Sequence, residues 1–446
     1  MINFIKKNYN YLLLFIFIFC LYTFIAYPLL YADPTATYAF SKAMKMGEIP
    51  YLDFNIISTP LYSFLLSLGL HIWDNFSMIL LEQSILVTIM YYLINRIYGN
   101  SKGTILLLAT CLLGFFCLNP TYNFMAIFML VLILFFEKEK SDKDYLIGIL
   151  IGLAILSKHT VCGFFIIPSI IYYFKDKKKL LKRFIGVLGV GLIFIIYLLL
   201  TNSFNEFFDL CILGLFDFSS NNSHPTSIYF YISIVLFIIS LIITIKNRKD
   251  ISNYYLLFTI AIAIPIFDVH HYSYYFFCFV MQLLPLIKKY ELKISRSCFS
   301  LFLVIFIFFG ASVLASSEQV FNKKINHYQY IFNDKECYKN YLDVFKIFDE
   351  YDDALIISNY KMFYDISRDN KIDYFDVPLY GNAGYDGSKK MIDRIKNMHD
   401  RYIIIDVFNY EEKNPFSQFD ESLIKYVINN CEKIKEKGDF IIYYKK

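Results

Sequence analysis

The polar side chains able to carry chemistry are few, and they gather where apolar runs end. Asp33 stands just after the first run, in Tyr31–Ala32–Asp33–Pro34, and Glu48, Tyr51 and Asp53 follow in Gly47–Glu48–Ile49–Pro50–Tyr51–Leu52–Asp53–Phe54. Lys158 and His159 close another run, and Asp268, His270 and His271 make up a short polar turn with Val269. A carboxylate so placed can take a proton from a hydroxyl, and a lysine or histidine can stabilise a developing anion. Each group also has a structural reading. Asp33 suits a helix N-cap, Pro34 the first helical position and Gly47 the left-handed residue past the helix end. Lys158 is the kind of lysine that snorkels from a helix end, and interfacial histidines serve as hydrogen-bond donors. Glu82 lies inside an apolar run, where facing lipid would be costly, so it is expected to turn inward toward a partner.

The elements that must position these groups are set by composition. Of 446 residues, 57% are hydrophobic and only 18% charged, which excludes a water-soluble globule of this size. The net charge of +4 is spread over short loops and forms no face for nucleic acid. Apolar runs recur at roughly 11–31, 77–95, 103–118, 121–136, 145–157, 159–174, 184–200, 228–245, 253–267, 273–287 and 298–316, each a candidate helix. The first run is long enough to span and has no small-residue cleavage site, so it is read as a retained helix and not as a removed signal.

Lysine and arginine orient the bundle. A cytoplasmic amino terminus places Lys6, Lys7, Arg96, Lys102, Lys138 to Lys143, Lys175 to Arg183, Lys246 to Lys249 and Lys288 to Arg296 on one side. This requires the segment Thr59 to Trp73 not to cross. The loops Ala32 to Ser58 and Thr201 to Ser227, the Asp268–His271 turn and the tail after about Ser317 then face outside. The expected fold is an α-helical polytopic membrane protein of about eleven spans (1–316) with a small extracytoplasmic α/β domain (317–446). In the tail, strand-like runs (Ala354 to Ser358, Tyr402 to Val407, Phe440 to Tyr444) alternate with helical ones (Lys339 to Tyr351, Lys389 to His399, Ser422 to Lys437).

The nine cysteines include no CxxC pair, and most behave as small hydrophobes within apolar runs. The two in the tail, Cys337 and Cys431, either close a long loop by a disulfide or remain free thiols. Outer carboxylates such as Asp33, Asp53 and Asp217 are compatible with a divalent cation, but their spacing specifies none.

An aspartate just outside the first span, a juxtamembrane helix, then Gly47–Glu48–Ile49–Pro50–Tyr51–Leu52–Asp53–Phe54 and Thr59–Pro60–Leu61 together resemble the first loop of the GT-C membrane glycosyltransferases. The likeness is to the protein O-mannosyltransferase and aminoarabinose transferase type. Gly152–Leu153–Ala154–Ile155–Leu156–Ser157–Lys158 and Phe267–Asp268–Val269–His270–His271–Tyr272 resemble two further outer segments of that group. Pro34 stands where many relatives carry a second acidic residue, and Thr59 where some carry a lysine.

The resemblance implies inverting transfer of a sugar from a polyprenyl-phosphate carrier to a glycan, lipid or protein acceptor on the outer face of the cell membrane. It implies Asp33 as the proton acceptor, and Lys158 with His159, His270 or His271 at the donor phosphate. Glu48, Tyr51, Asp53 and Asp268 fall to the acceptor side. No cofactor is required. The alternatives are a polysaccharide repeat-unit polymerase and a transporter or flippase of lipid-linked sugars. Against the latter, the chain shows no inverted repeat and holds its polar groups at one face.

Overall fold

The computed structural model describes residues 2–21, 32–99, 119–139, 142–216, 227–264, 269–286, 320–325, 328–332, 343–351, 353–358, 361–368, 370–373, 383–406, 421–438 and 440–446. The apolar runs 103–118 and 298–316, together with Asp217, Asp268 and Cys337, lie outside these residues, as does the side chain of Asp33. The chain divides into two compact units, one of Met1–Thr37, Thr59–Phe194 and His224–Ser317, the other of Tyr38–Ser58, Ile195–Ser223 and Glu318–Lys446.

The helices are α1 (Ile2–Leu21), α2 (Ala32–Lys45), α3 (Leu61–Leu70), α4 (Ser77–Tyr98), α5 (Tyr122–Lys138), α6 (Asp144–Ile155), α7 (His159–Cys162), α8 (Ile166–Tyr173), α9 (Lys177–Leu200), α10 (Phe204–Phe208), α11 (Ile228–Lys246), α12 (Ile251–Phe258) and α13 (Val269–Leu283). Among the described residues α4, α9 and α11 are long and apolar enough to cross a membrane. Apolar side chains such as Leu188, Leu192 and Ile193 on α9, and Val235 and Ile238 on α11, are exposed. Such a surface suits hydrocarbon and not water. The ten residues of α3 rise only about 15 Å, half the hydrocarbon thickness.

Helix α5 is the core of the first unit. It is apolar on every side, and Asn123 to Val131 are all buried. Polar pairs fix its neighbours. Tyr62 of α3 donates to Gln83 of α4 at 2.9 Å, and Asn95 of α4 donates to Tyr11 of α1 at 3.2 Å. Gln282 of α13 donates to Thr244 at 3.0 Å and to the Asn253 carbonyl at 3.4 Å, joining α11, α12 and α13. Helices α6 and α9 meet backbone to backbone: a Cβ on Gly148 would lie 2.2 Å from the Arg183 carbonyl oxygen, and one on Gly186 2.6 Å from that of Tyr145. Small residues permit this approach where water cannot drive helices together.

The second unit holds a four-stranded sheet. Its strands β3 (Leu355–Ile357), β4 (Arg401–Asp406), β5 (Glu432–Lys437) and β6 (Phe440–Lys445) run in the order β3-β4-β6-β5, after a separate hairpin of β1 (Val320–Ile325) and β2 (Tyr328–Phe332). Strand β3 is parallel to β4 and the other pairs are antiparallel. Alternation sorts the side chains between two cores. Leu355, Ile357, Ile403 and Ile405 pack with Met391, Ile395, Leu423 and Val427 from helices α15 (Gly387–Lys396) and α16 (Glu421–Asn430), which follow α14 (Lys361–Ser367). Ile356, Ile404 and Ile442 pack on the other face with Phe345 and Phe348 from a helix over 343–349.

The expected helix from Ser422 to Lys437 is half helix and half strand. It stops at Asn430, and Glu432–Lys437 forms the exposed edge strand β5 on β6. Its run of glutamates and lysines is the composition that keeps an edge from pairing with another chain. Cys431 is a free thiol between the two elements.

Candidate functional site

Helix α2 begins at Ala32, so Asp33 and Pro34 lie inside its first turn and not ahead of it. Gly47, with φ +88°, takes the left-handed conformation past the helix end, as expected of a glycine there.

The loop that follows in the second unit is built around its own polar groups. The Asp53 carboxylate accepts from the Ile49 amide at 2.7 Å, and the Tyr51 amide donates to the Phe54 carbonyl at 3.0 Å. Tyr51 is buried with φ +72°, a left-handed conformation that is costly for a tyrosine. Its hydroxyl donates to the Ser58 carbonyl at 3.1 Å, and its ring packs edge-on against Phe207, 5.2 Å between centroids. Burial raises its phenol well above the ordinary range. Tyr51 and Asp53 thus hold the loop in shape.

Glu48 is different. Its side chain is 4% exposed, Oε2 has no hydrogen-bond partner, and Lys371 Nζ stands 3.9 Å from Oε1. Burial pushes its carboxyl up to about 7; Lys371 opposes that rise, and Asp53, Asp365 and Asp373 add to it. Within the same unit Lys390 of α15 binds Glu206 and, at 2.8 Å, Asp209, while Asp209 accepts from the Asp386 amide at the start of α15 at 3.3 Å.

In the first unit, Lys158 is 7% exposed. Its ammonium donates to Asn123 Oδ1 and lies 5.2 Å from the centre of the Tyr122 ring. Thr59 donates to the Ile155 carbonyl at 2.8 Å, and the Leu61 amide to that of Leu156 at 3.0 Å, so the start of α3 is fastened to the end of α6 beside Lys158. Thr121 and the Tyr274 hydroxyl share a hydrogen bond at 3.0 Å. Tyr274 lies one helical turn beyond His270 on α13, where His271 is buried and His270 half-buried. His159 opens α7 and is half-buried. The start of α5 therefore ties the lysine segment to the histidine helix.

The structure thus places Lys158, His159, His270 and His271 in one unit and Glu48, Tyr51 and Asp53 in the other. Asp268 and the Asp33 side chain lie outside the described residues. Thr121, Tyr122, Asn123 and Tyr274 escaped the reading of the sequence. Their signal is the polar triplet Thr121–Tyr122–Asn123 opening an otherwise apolar helix. Glu82, half-buried on α4, lies near Gly69 of α3. Among the described residues no three histidine, cysteine, aspartate or glutamate side chains converge to hold a metal ion.

Residues 58–204, which include Thr59, Asn123 and Lys158, match the family described as dolichyl-phosphate-mannose-protein mannosyltransferase. No curated protein matches the chain by sequence. Among solved structures, ArnT from Cupriavidus metallidurans bound to undecaprenyl phosphate is similar, with TM-score 0.54, 10% identity and 98% of each chain covered. The apo state of that ArnT is similar as well, with TM-score 0.52, 11% identity and the same coverage. The oligosaccharyltransferase of Archaeoglobus fulgidus, in complex with Zn and sulfate, is less so, with TM-score 0.43 and 11% identity over 97% of this chain and 72% of that one. The chain is thus similar in fold to ArnT along nearly its whole length, and its segment 58–204 matches the mannosyltransferase family.

Proposed function

We propose that the chain is an inverting glycosyltransferase that moves a sugar from a polyprenyl-phosphate carrier to an acceptor at the outer face of the cell membrane. The observation that carries this reading is the buried Lys158, held by Asn123 and Tyr122 within the family-matched segment. A lysine so held is a fixed cation in a dry environment, where it stabilises a developing anion better than water does. The ArnT of similar fold was crystallised with undecaprenyl phosphate, a donor-side molecule of the required kind.

In the reaction an acceptor hydroxyl oxygen attacks the anomeric carbon, and the bond from that carbon to the phosphate oxygen breaks. Its electron pair leaves on the phosphate, toward Lys158, with His159, His270 or His271 as further donors. The hydroxyl proton passes to the Asp33 carboxylate. Glu48, Tyr51, Asp53 and Asp268 belong on the acceptor side, where Glu48, with its carboxyl near 7, is able to accept a hydrogen bond or donate one at neutral pH. The packing of residues 38–58, 195–223 and the tail into one unit supports placing them on one side of the membrane.

The test is incubation of purified protein, in membranes, with radiolabelled polyprenyl-phosphate sugars. The reading requires release of free polyprenyl phosphate together with transfer of label to an acceptor. Absence of release with every donor sugar would overturn it.

A further inference from the structure

Helices α5 and α6 are antiparallel neighbours, and each carries a polar group at both ends. At one end Asn123 meets Lys158. At the other, Glu137 and Asp144 both bind Arg183 of α9, with Nη1 to Glu137 at 2.6 Å and Nε to Asp144 at 2.8 Å. Arg183 is 2% exposed and lies 4.3 Å from the centre of the Tyr173 ring. This far end is where three turns of the first unit converge. Tyr172 donates to the Lys249 carbonyl at 2.5 Å, tying the turn between α8 and α9 to the turn between α11 and α12, and Lys138 of α5 binds Asp250 at 2.7 Å.

The charges at this end do not balance. Every described carboxylate in the three turns is engaged: Glu137 and Asp144 on Arg183, Asp142 on Lys182, Glu139 on Lys143 and Asp250 on Lys138. Asp176 accepts from the Lys179 amide at the start of α9. Lys175, Lys177 and Lys178 on one turn and Lys246, Arg248 and Lys249 on the other are exposed and have no carboxylate partner among the described residues. Phe174 stands among them, 72% exposed. Beside them opens a cavity of about 460 Å³ whose lining is acidic on balance, with Glu137, Glu139, Asp142, Asp144 and Asp176 set against Lys178, Lys179, Lys182 and Arg183, so an anion is held at the exposed cations and not inside it. A cluster of exposed cations with no carboxylate partner among the described residues, at one end of a membrane bundle and beside an exposed aromatic, has the chemistry that holds anionic lipid headgroups.

We propose that this end of the helix bundle, remote from Lys158, is a docking surface for anionic phospholipid, with the phosphodiester headgroup held between the exposed cations of the 175–178 and 246–249 segments. The surface is independent of the sugar-transfer reading, since none of its residues is assigned to that chemistry.

The test uses the full-length protein in nanodiscs containing equal parts of phosphatidylglycerol and phosphatidylcholine, with the lipids retained on the protein identified by native mass spectrometry. Wild type should retain phosphatidylglycerol in preference. The variants Lys177→Gln, Lys178→Gln and Lys249→Gln, singly and combined, should lower that preference roughly fivefold per cation removed. These side chains are exposed and lack carboxylate partners, so the thermal midpoint should not move; a midpoint matching wild type confirms that the variants are folded. Should one of them unfold, raised salt applied to the wild type provides the second measurement and should erase the preference. Equal retention of the two lipids by wild type, or undiminished preference in the folded triple variant, would overturn the proposal. So would displacement of the lipid by millimolar inorganic phosphate, which would mark a free-phosphate site instead.

Discussion

Glu48→Gln should stabilise the second unit at alkaline pH and remove part of its pH dependence. The ordinary carboxyl value is 4.5, and burial raises that of Glu48 to about 7. Below about pH 4.5 the group is protonated in folded and unfolded chains alike, and it costs nothing. Between about 4.5 and 7 the folded chain keeps a proton that the unfolded chain releases, so stability falls as pH rises through this window. Above 7 the buried carboxylate is ionised in both states, and the full cost applies. A gap of about 2.5 pH units at 1.36 kcal/mol each amounts to about 3 kcal/mol. Hydrogen exchange of the 46–58 amides, corrected for intrinsic rates at each pH, reports the opening free energy of this segment. Wild type should lose protection as pH rises from about 4.5 to about 7 and Glu48→Gln should not, while Lys371→Gln should extend the loss to higher pH and deepen it by removing the cation that favours ionised Glu48. Parallel profiles for wild type and Glu48→Gln would refute the assignment of an uncompensated buried carboxyl.

Other perturbations follow from the packing. Arg183→Met strands Glu137 and Asp144 in a buried site and should destabilise the first unit by roughly 3–5 kcal/mol, read as a lowered thermal midpoint and reduced yield from membranes. Gly148→Ala drives a methyl group into the Arg183 backbone carbonyl, 2.2 Å from the ideal Cβ, and should cost about 1–3 kcal/mol by parting α6 from α9. Gly384→Ala meets both a φ of +83° and the Asp209 carboxylate 2.0 Å away, so it should speed exchange in the first turn of α15.

Much of the helical order could be read directly from the sequence, because a spanning segment must satisfy its own backbone and so betrays itself by length and apolarity. Helix α2 and the left-handed Gly47 followed from local rules, and so did strands β3, β4 and β6, whose isoleucines alternate between two cores. What stayed hidden depends on partners distant in sequence. Glu432–Lys437 looked helical because charged residues favour helices, and only its pairing with β6 makes it a strand. Asn123 gave no sign of meeting Lys158, 35 residues away. The same holds for Lys390, whose acidic partners precede it by more than 180 residues. The contacts that draw residues 38–58 and 195–223 to the tail are invisible to composition, since the unit they build is discontinuous along the chain.

The most direct test of the proposed chemistry compares sugar transfer from a polyprenyl-phosphate donor by wild type, Asp33→Asn and Lys158→Met at matched amounts in membranes. Asparagine keeps the shape of the aspartate but cannot accept the proton, so turnover should fall roughly 10²–10⁴-fold while folding is retained. Lys158→Met keeps the length of the side chain and removes the cation that meets the leaving phosphate, so transfer should fall without loss of membrane insertion. Wild-type release of polyprenyl phosphate with both variants impaired is the predicted result; full activity in Asp33→Asn would contradict the proposed proton acceptor, and full activity in both would contradict the mechanism.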